Sequence, residues 1–596
     1  MAPENNSPDK SVVAGLPFPA EWINSNPWKV EEILSQMALE DQIRCVLQVQ
    51  AKDRQDLITL SSRATEIVHA LAPEEIYQLI KEIGEKDSLA VLSLVSSDQL
   101  QYIFDIEWWH GDRFQPERAL KWLDYLDKCQ ESAILEWSQS EELDQKVMLL
   151  QALIKVYKKD EMTESYEGVE NLPHITFDGV YDIFFKVSDF EPVREMIRLL
   201  RDQDPNLYFI LMEAVIWYPV TPTVERAFRW RMTRTSDRGI PEYEEALGIY
   251  SRLDPESLKV DAPTLDNFSG DNQSLVAPTY PFSQVKSFAF LYQSMAFLED
   301  EKRLDTICWE LVNLANKVIV ADKLDPSSLE IRDRAMRKVL GYITMGLEAG
   351  AEEDSVRGAR IIERTWLLFL FQAGYERLCQ LKWKAEKFLK RNGELLNFLI
   401  NEGEKEWLGA LVYRFPQLGE MGPQGESFYW RDFRSLEDIR DTERFLDRWE
   451  FFVRFCKQSL NLDINKMNHF LSLCRFPEPE KDIDLLTWVT TGLARFTLFN
   501  EVDCEPLPEI AAKKFLKMVF LSGVFKDEKK VCSPDMLNEF SRKVLESPLA
   551  WVEGDKEFLA GLIREVSENL QDQFGALDLK KRVQWKFTHG LAIKKE

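Results

Sequence analysis

Apolar positions recur with a twelve-residue register over Pro73–Trp108. The first unit opens Pro73-Glu74-Glu75, the second Glu85-Lys86-Asp87 and the third Ser97-Asp98-Gln99. Within these units Leu79, Val91 and Ile103 align, as do Ile80, Leu92 and Phe104. Polar and acidic openings suit helix N-termini. A helix of two or three turns cannot bury its own apolar face, so these units must stack on one another. Helical spacing continues on both sides, with Val30, Ile33, Leu34 and Met37 on one face and Leu143, Val147, Leu150 and Ile154 on another. The pattern predicts helix throughout Val30–Lys158, broken at Trp108-Trp109-His110-Gly111-Asp112 and resuming at Pro116.

Past an acidic stretch, Asp160–Glu170, the period changes. Ile175–Phe184 sets Asp178-Gly179 between β-prone runs, the signal of a hairpin turn. Helices are predicted at Pro192–Arg201, Pro205–Trp217, Arg226–Arg238 and Pro241–Leu253. Asp254–Phe282 turns to Asp, Pro, Ser and Asn and reads as a linker or a long surface loop. Longer helical spans follow: Ser283–Phe297, Asp305–Val320, Leu329–Gly346 and Val356–Phe371. The predicted fold is mainly α: stacked short helices in a superhelical repeat, helical hairpins and at most one minor β-hairpin. The expected divisions are an arm at 1–28, a repeat domain at 29–160, a middle segment at 161–253, the linker at 254–282 and a helical domain at 283–596.

Length and charge narrow the function. With 596 residues the chain exceeds one hydrophobic core. A net charge of −27 opposes nucleic-acid binding, which requires a basic surface, and equally opposes anionic lipid. No apolar run approaches bilayer length, and the first ten residues lack the basic start and apolar core of a signal peptide. Eight scattered cysteines without a Cys-x-x-Cys pair read as reduced core thiols, so a cytoplasmic location is expected.

The chemistry search predicts no catalytic residue, metal ligand or cofactor. The five histidines, His69, His110, His174, His469 and His589, show no ligand spacing. Gly419, Gly422 and Gly425 lack the Lys-Ser/Thr of a phosphate loop and read as a plain loop. Glu107-Trp108-Trp109-His110-Gly111-Asp112 reads first as a Trp-packed turn. Lys580-Lys581-Arg582, Lys586 and Lys594-Lys595 read as a solvated basic tail. One basic cluster stands out: Arg226, Arg229, Arg231, Arg234 and Arg238, with Phe228 and Trp230 interleaved. On a helix Arg231, Arg234 and Arg238 share a face, where guanidinium groups bind either an anion or the protein's own carboxylates. Trp108 and Trp109 point about 100° apart on a helix. One is expected inside against Ile103 or Phe104. The other either closes the stack near Trp122 or stands at the surface as a partner anchor.

The Leu71–Ile106 repeat, with its Pro-Glu-Glu-Ile opening, resembles the cytosolic superhelical domain of MgtE-type magnesium transporters. The resemblance implies stacked short helices; no transmembrane part follows, so it implies no transport. The whole chain resembles an uncharacterised bacterial family of similar length. Glu107–Arg113, Glu213-Ala214-Val215-Ile216-Trp217 and Gly239–Leu247 carry that likeness. It supplies no catalytic residues. The expected function is a non-enzymatic interaction scaffold or regulator with a protein partner. The alternative is an enzyme or sensor holding an anionic small molecule on Arg229, Arg231, Arg234 and Arg238.

Overall fold

The stacked repeat forms with its middle member shortened. Pro73–Ile83 and Ser97–Glu107 are helices, while the second unit is helical only over Leu89–Leu92. Gly84 ends the first helix at φ 99°, a conformation that favours glycine. All six in-register residues are fully buried. The third helix begins on a capping box, Ser96 and Gln99 each bonding the other's backbone N–H. The Gln99 amide also donates to the carbonyls of Val68 and Leu71 at 2.7 and 2.9 Å, fastening this helix to the end of Ala64–Ala70.

This computed structural model describes residues 16–129, 132–140, 142–159, 168–258, 276–421, 428–475, 483–501, 503–526, 529–547, 549–579, 583, 585 and 589–595. The chain is mainly α and divides into two compact units, Met1–Glu376 and Arg377–Glu596. The stretch 254–282, expected as a linker or loop, falls within the first unit, and its residues 259–275 lie outside the described set. So do 1–15 of the expected arm, most of the acidic stretch at 160–170, Gly422 and Gly425, and Lys580, Lys581, Arg582 and Lys586.

Several local expectations change. The later part of the expected arm holds helices Trp22–Ser25 and Pro27–Ser35, with Ile23, Val30 and Leu34 buried. Ile154–Lys158, predicted as the end of a helix, is a strand. Its Ile-Lys-Val-Tyr-Lys sequence suits a pleated, half-buried surface better than a helix. It pairs antiparallel with Tyr181–Phe185, which pairs on its other side with His174–Ile175. The predicted hairpin is thus present as part of a three-stranded sheet. Asp178 Oδ1 accepts from the N–H groups of Val180 and Tyr181 at its turn. The break after Glu107 is itself a small hairpin, Trp109–His110 against Arg113–Phe114.

Two helices pack on this region. Pro205–Trp217 runs as predicted, and Val220–Asp237 starts six residues earlier than the arginine cluster suggested. Pro222 sits in its first turn, where a missing N–H costs nothing. Farther on, Glu301–Ala321 packs on Leu329–Ala351. Gly346 of the latter meets Gly374 of Leu367–Leu396 at backbone contact. A Cβ on Gly346 would stand 2.0 Å from the Leu370 carbonyl oxygen, and one on Gly374 would stand 1.9 Å from that of Tyr342.

The second unit centres on Leu436–Gln458, Leu485–Phe499 and Asp555–Phe574. Trp488 is buried there and donates its indole N–H to the Phe398 carbonyl at 2.9 Å. Gly419, expected in a loop, lies in a hairpin of Leu418–Met421 with Phe428–Arg431. Among the described residues no helix is long and apolar enough to cross a membrane.

Candidate functional site

Trp108 and Trp109 are both buried. Trp108 stacks on Phe104 at 3.9 Å between ring centroids and meets Trp137 edge-on at 5.6 Å. Trp109 packs on Phe114 and Phe228, with the Arg231 guanidinium 5.5 Å from its ring. The second indole therefore leans on the helix Val220–Asp237, not on Trp122. Neither indole offers a surface to a partner, because that helix covers the end of the repeat that they would otherwise leave open.

The arginines explain how it covers it. Arg231, Arg234 and Arg238 do share a face, and that face is laid on the repeat. Arg231 donates to the carbonyls of Asp105 and Gly111 at 2.7 and 3.3 Å. Arg234 takes both oxygens of Asp105 at 2.8 and 2.7 Å and also pairs with Glu142. Arg238 lies 3.9 Å from Glu74 and over the ring of Tyr102. Arg226 forks onto Asp144, and exposed Arg229 pairs with Glu225 on its own helix. The cluster is not gathered on an open anion pocket. Four of the five arginines meet carboxylates, while buried Arg231 is held by main-chain carbonyls; a buried guanidinium has to find such acceptors.

Beside Arg234 opens a cleft of about 450 Å³ between the helices Ser97–Glu107, Ser132–Gln139, Leu143–Leu153 and Val220–Asp237. Its walls include Asp98, Gln101, Trp137, Glu142, Asp144, Gln145 and Trp230. A chain of hydrogen bonds fixes the polarity of the amides here. Trp137 can only donate, and its indole N–H meets Gln101 Oε1 at 2.8 Å. The Gln101 amide nitrogen therefore faces Asp105 Oδ1 and Gln145 Oε1, both at 2.9 Å. Arg234 donates to the same Gln145 oxygen. Gln145 Nε2 is thereby turned away from all of these groups; it is itself buried and finds no acceptor among the described residues. Among these cleft residues sequence reasoning had singled out Arg234, with Trp230 beside it in the arginine cluster. The Gln101–Asp105 spacing of four was a visible signal, but the partner helices were not.

A second polar group lies deeper in the same unit. Glu75 pairs with Arg54 at 2.5 Å and accepts from the backbone N–H groups of Thr279 and Tyr280, so it holds the chain that resumes at 276. Tyr77 donates to Glu107 at 2.6 Å, and Lys81 bridges Glu107 and Glu85. Arg332 sits over Tyr77 and hydrogen-bonds Tyr280. Burial pushes Glu74 above the usual carboxylate range, with Arg238 opposing, and pushes Tyr280 up to about 12. One Glu74 oxygen finds no hydrogen-bond partner among the described residues; the others pair with one another and tie the repeat to Leu329–Ala351. Near the surface Arg118 forks onto Asp325 at 2.7 Å and Ser327 at 3.0 Å, with His110 3.6 Å from the same carboxylate. No group of three or more potential metal ligands is placed to hold an ion among the described residues.

The fold and site define a stacked-helix protein whose charged groups are spent on holding helices together. A family model described as a family of unknown function (DUF6178) matches residues 31–594, and the chain belongs to that family. No curated protein and no solved structure matches it.

Proposed function

We propose that this protein is a non-enzymatic interaction scaffold or regulator of the cytoplasm, docking a protein partner on the outer face of Pro205–Trp217. One observation carries the reading. That helix, Pro-Asn-Leu-Tyr-Phe-Ile-Leu-Met-Glu-Ala-Val-Ile-Trp, is apolar nearly all round, yet only one side is covered. Tyr208, Leu211, Met212 and Ala214 are buried, while Phe209, Ile210 and Trp217 are 42%, 52% and 72% exposed. Val220, just past the turn, is 59% exposed. A helix apolar on every side belongs in an interior, and a contiguous exposed apolar surface marks an interaction site. Trp217 suits an anchor, since indoles dominate interface hot spots. Its N–H donates to Glu213 at 2.9 Å, which orients the ring. The free cysteines, buried except for part-buried Cys129, support a reducing compartment.

The test is affinity capture from native lysate with wild type and with Ile210→Asp/Trp217→Asp. A stoichiometric partner lost from the variant, with unchanged circular dichroism and melting, supports the reading. Equal capture by both, or no stoichiometric partner, overturns it.

A further inference from the structure

The uncovered face of Pro205–Trp217 is organised from beneath. Asn206, Phe209, Ile210, Glu213 and Trp217 fall within about 100° of one another around the helix axis, opposite buried Tyr208, Leu211 and Met212. Among these five Glu213 alone is charged, and its charge is matched within the chain. Its carboxylate accepts from Lys158 and from the Tyr181 hydroxyl, both at 2.6 Å, and from the Trp217 indole. Phe209 leans on the ring of the same Tyr181, 6.0 Å between centroids. One carboxylate thus holds both aromatic ends of the stripe, Trp217 directly and Phe209 through Tyr181. Covering the stripe strands no charge and orders side chains that are already held. The rim is balanced as well. Arg226 lies over the Tyr218 ring and forks onto Asp144, and Arg229 pairs with Glu225 on the same helix.

Balanced ion pairs favour neither a basic nor an acidic partner. Two copies of a chain with net charge −27 meet most readily where charge is locally balanced, and this face is such a place. A two-fold axis sets the same patch on both sides, so it requires a surface that matches its own kind in charge and apolarity. Size agrees. Phe209, Ile210, Trp217, Tyr218 and Val220 present about 550 Å² at their exposures, most of it aromatic. Doubled across a two-fold axis this is about 1,100 Å² before the rim is counted, the scale of a reversible interface. We infer that the occupant of this face is a second copy of the chain, the two Pro205–Trp217 helices packing on each other about a two-fold axis. This dimer rests on the interaction reading above and names its partner.

Sedimentation equilibrium of the purified full chain tests it. Wild type is expected to show a reversible monomer–dimer equilibrium with a dissociation constant of about 1–100 µM, as suits an interface of this size. Trp217→Ala should weaken it about tenfold or more, and Ile210→Asp/Trp217→Asp should leave monomer only. These are exposed side chains, and melting curves confirm that the variants fold; Trp217→Ala is the milder change if the double variant does not. Raising NaCl from about 0.1 to 0.5 M should strengthen the dimer, because salt screens the repulsion between two acidic chains and has no interfacial ion pair to weaken. A wild-type monomer at about 100 µM overturns the dimer. So does a dimer that both variants leave unchanged, since its contact would lie elsewhere, and so does a dimer that salt dissociates. If wild type is monomeric while a partner from native lysate is still lost on Ile210→Asp/Trp217→Asp, only the identity of the partner falls.

Discussion

Arg234 closes on both carboxylate oxygens of Asp105, at 2.7 and 2.8 Å, and that carboxylate is buried. Burial pushes the Asp105 carboxyl upward and the Arg234 guanidinium opposes it. Removing the cation leaves an uncompensated buried charge, so Arg234→Leu should destabilise by about 3–5 kcal/mol. The sign with pH follows. Without Arg234 the folded-state pKa of Asp105 rises further above its unfolded value. Stability is then kept below the unfolded value and lost as pH rises through the folded one. Denaturant melts at pH 4 and pH 7 should show the larger deficit at pH 7, and Asp105→Asn in the same background should recover most of it. An equal deficit at both pH values would refute the account.

The aromatic end of the repeat makes a second prediction. Trp108 and Trp109 fill the space between the third repeat helix and Val220–Asp237. Either truncation to Ala should cost about 3–5 kcal/mol. Neither indole N–H finds an acceptor among the described residues. Trp108→Phe, which keeps an aromatic face for Phe104 and removes that N–H, should therefore cost much less than Trp108→Ala. Similar losses for Phe and Ala would show that the indole shape, not its stacking, holds the site.

What was legible in the sequence was what depends on near neighbours. The repeat could be read because Leu79, Val91 and Ile103 keep one register, and the turn at Asp178-Gly179 because its geometry needs those residue types. The shared face of Arg231, Arg234 and Arg238 followed from helical spacing alone. What that face touches did not, since Asp105, Glu142 and Glu74 lie far off in sequence and any of 101 acidic residues was an equal candidate. Ile154–Lys158 was misread for a related reason: its pairing with Tyr181–Phe185 is non-local, and tertiary pairing overrides a short helical pattern. Trp230 and Trp217 carry no local mark of exposure, so the apolar outer face emerged only once the inner one was placed.

Gly346 tests the close approach of two helices in the first unit. At an ordinary helix position Gly→Ala is stabilising by about 1 kcal/mol through propensity. Here the added methyl collides with the Leu370 carbonyl, backbone that cannot swing aside. Gly346→Ala should instead destabilise by about 1–3 kcal/mol, the usual range for overpacking. Gly409→Ala, where a Cβ meets nothing within 4 Å, is the control and should be neutral or stabilising. Equal melting shifts for the two would remove the backbone-contact argument.

Lys146 makes the last prediction, and its sign is the reverse of a salt-bridged lysine. It is buried as the fourth residue of Leu143–Leu153, where its ammonium donates to the Ser140 carbonyl and lies 5.9 Å from the Trp137 ring. Burial draws its pKa from 10.5 down to about 8, against the pull of Glu142. Below pH 8 both folded and unfolded chains carry the proton, and the folded one bears the full cost of a poorly solvated charge. Between about 8 and 10.5 the unfolded chain binds more protons, so this group's contribution makes stability rise with pH. Lys146→Met keeps the stem and discards the charge. It should stabilise the protein at pH 7 by about 1–2 kcal/mol, a discounted share of the shift. The advantage should shrink steadily across that window. Burial holds several tyrosines, Tyr280 among them, protonated in the folded chain beyond the pH at which they ionise when unfolded, so the informative quantity is the difference between the two denaturation curves. A difference that stays constant from pH 7 to 10.5 would mean that Lys146 is fully charged in the folded protein, and the burial argument would fail.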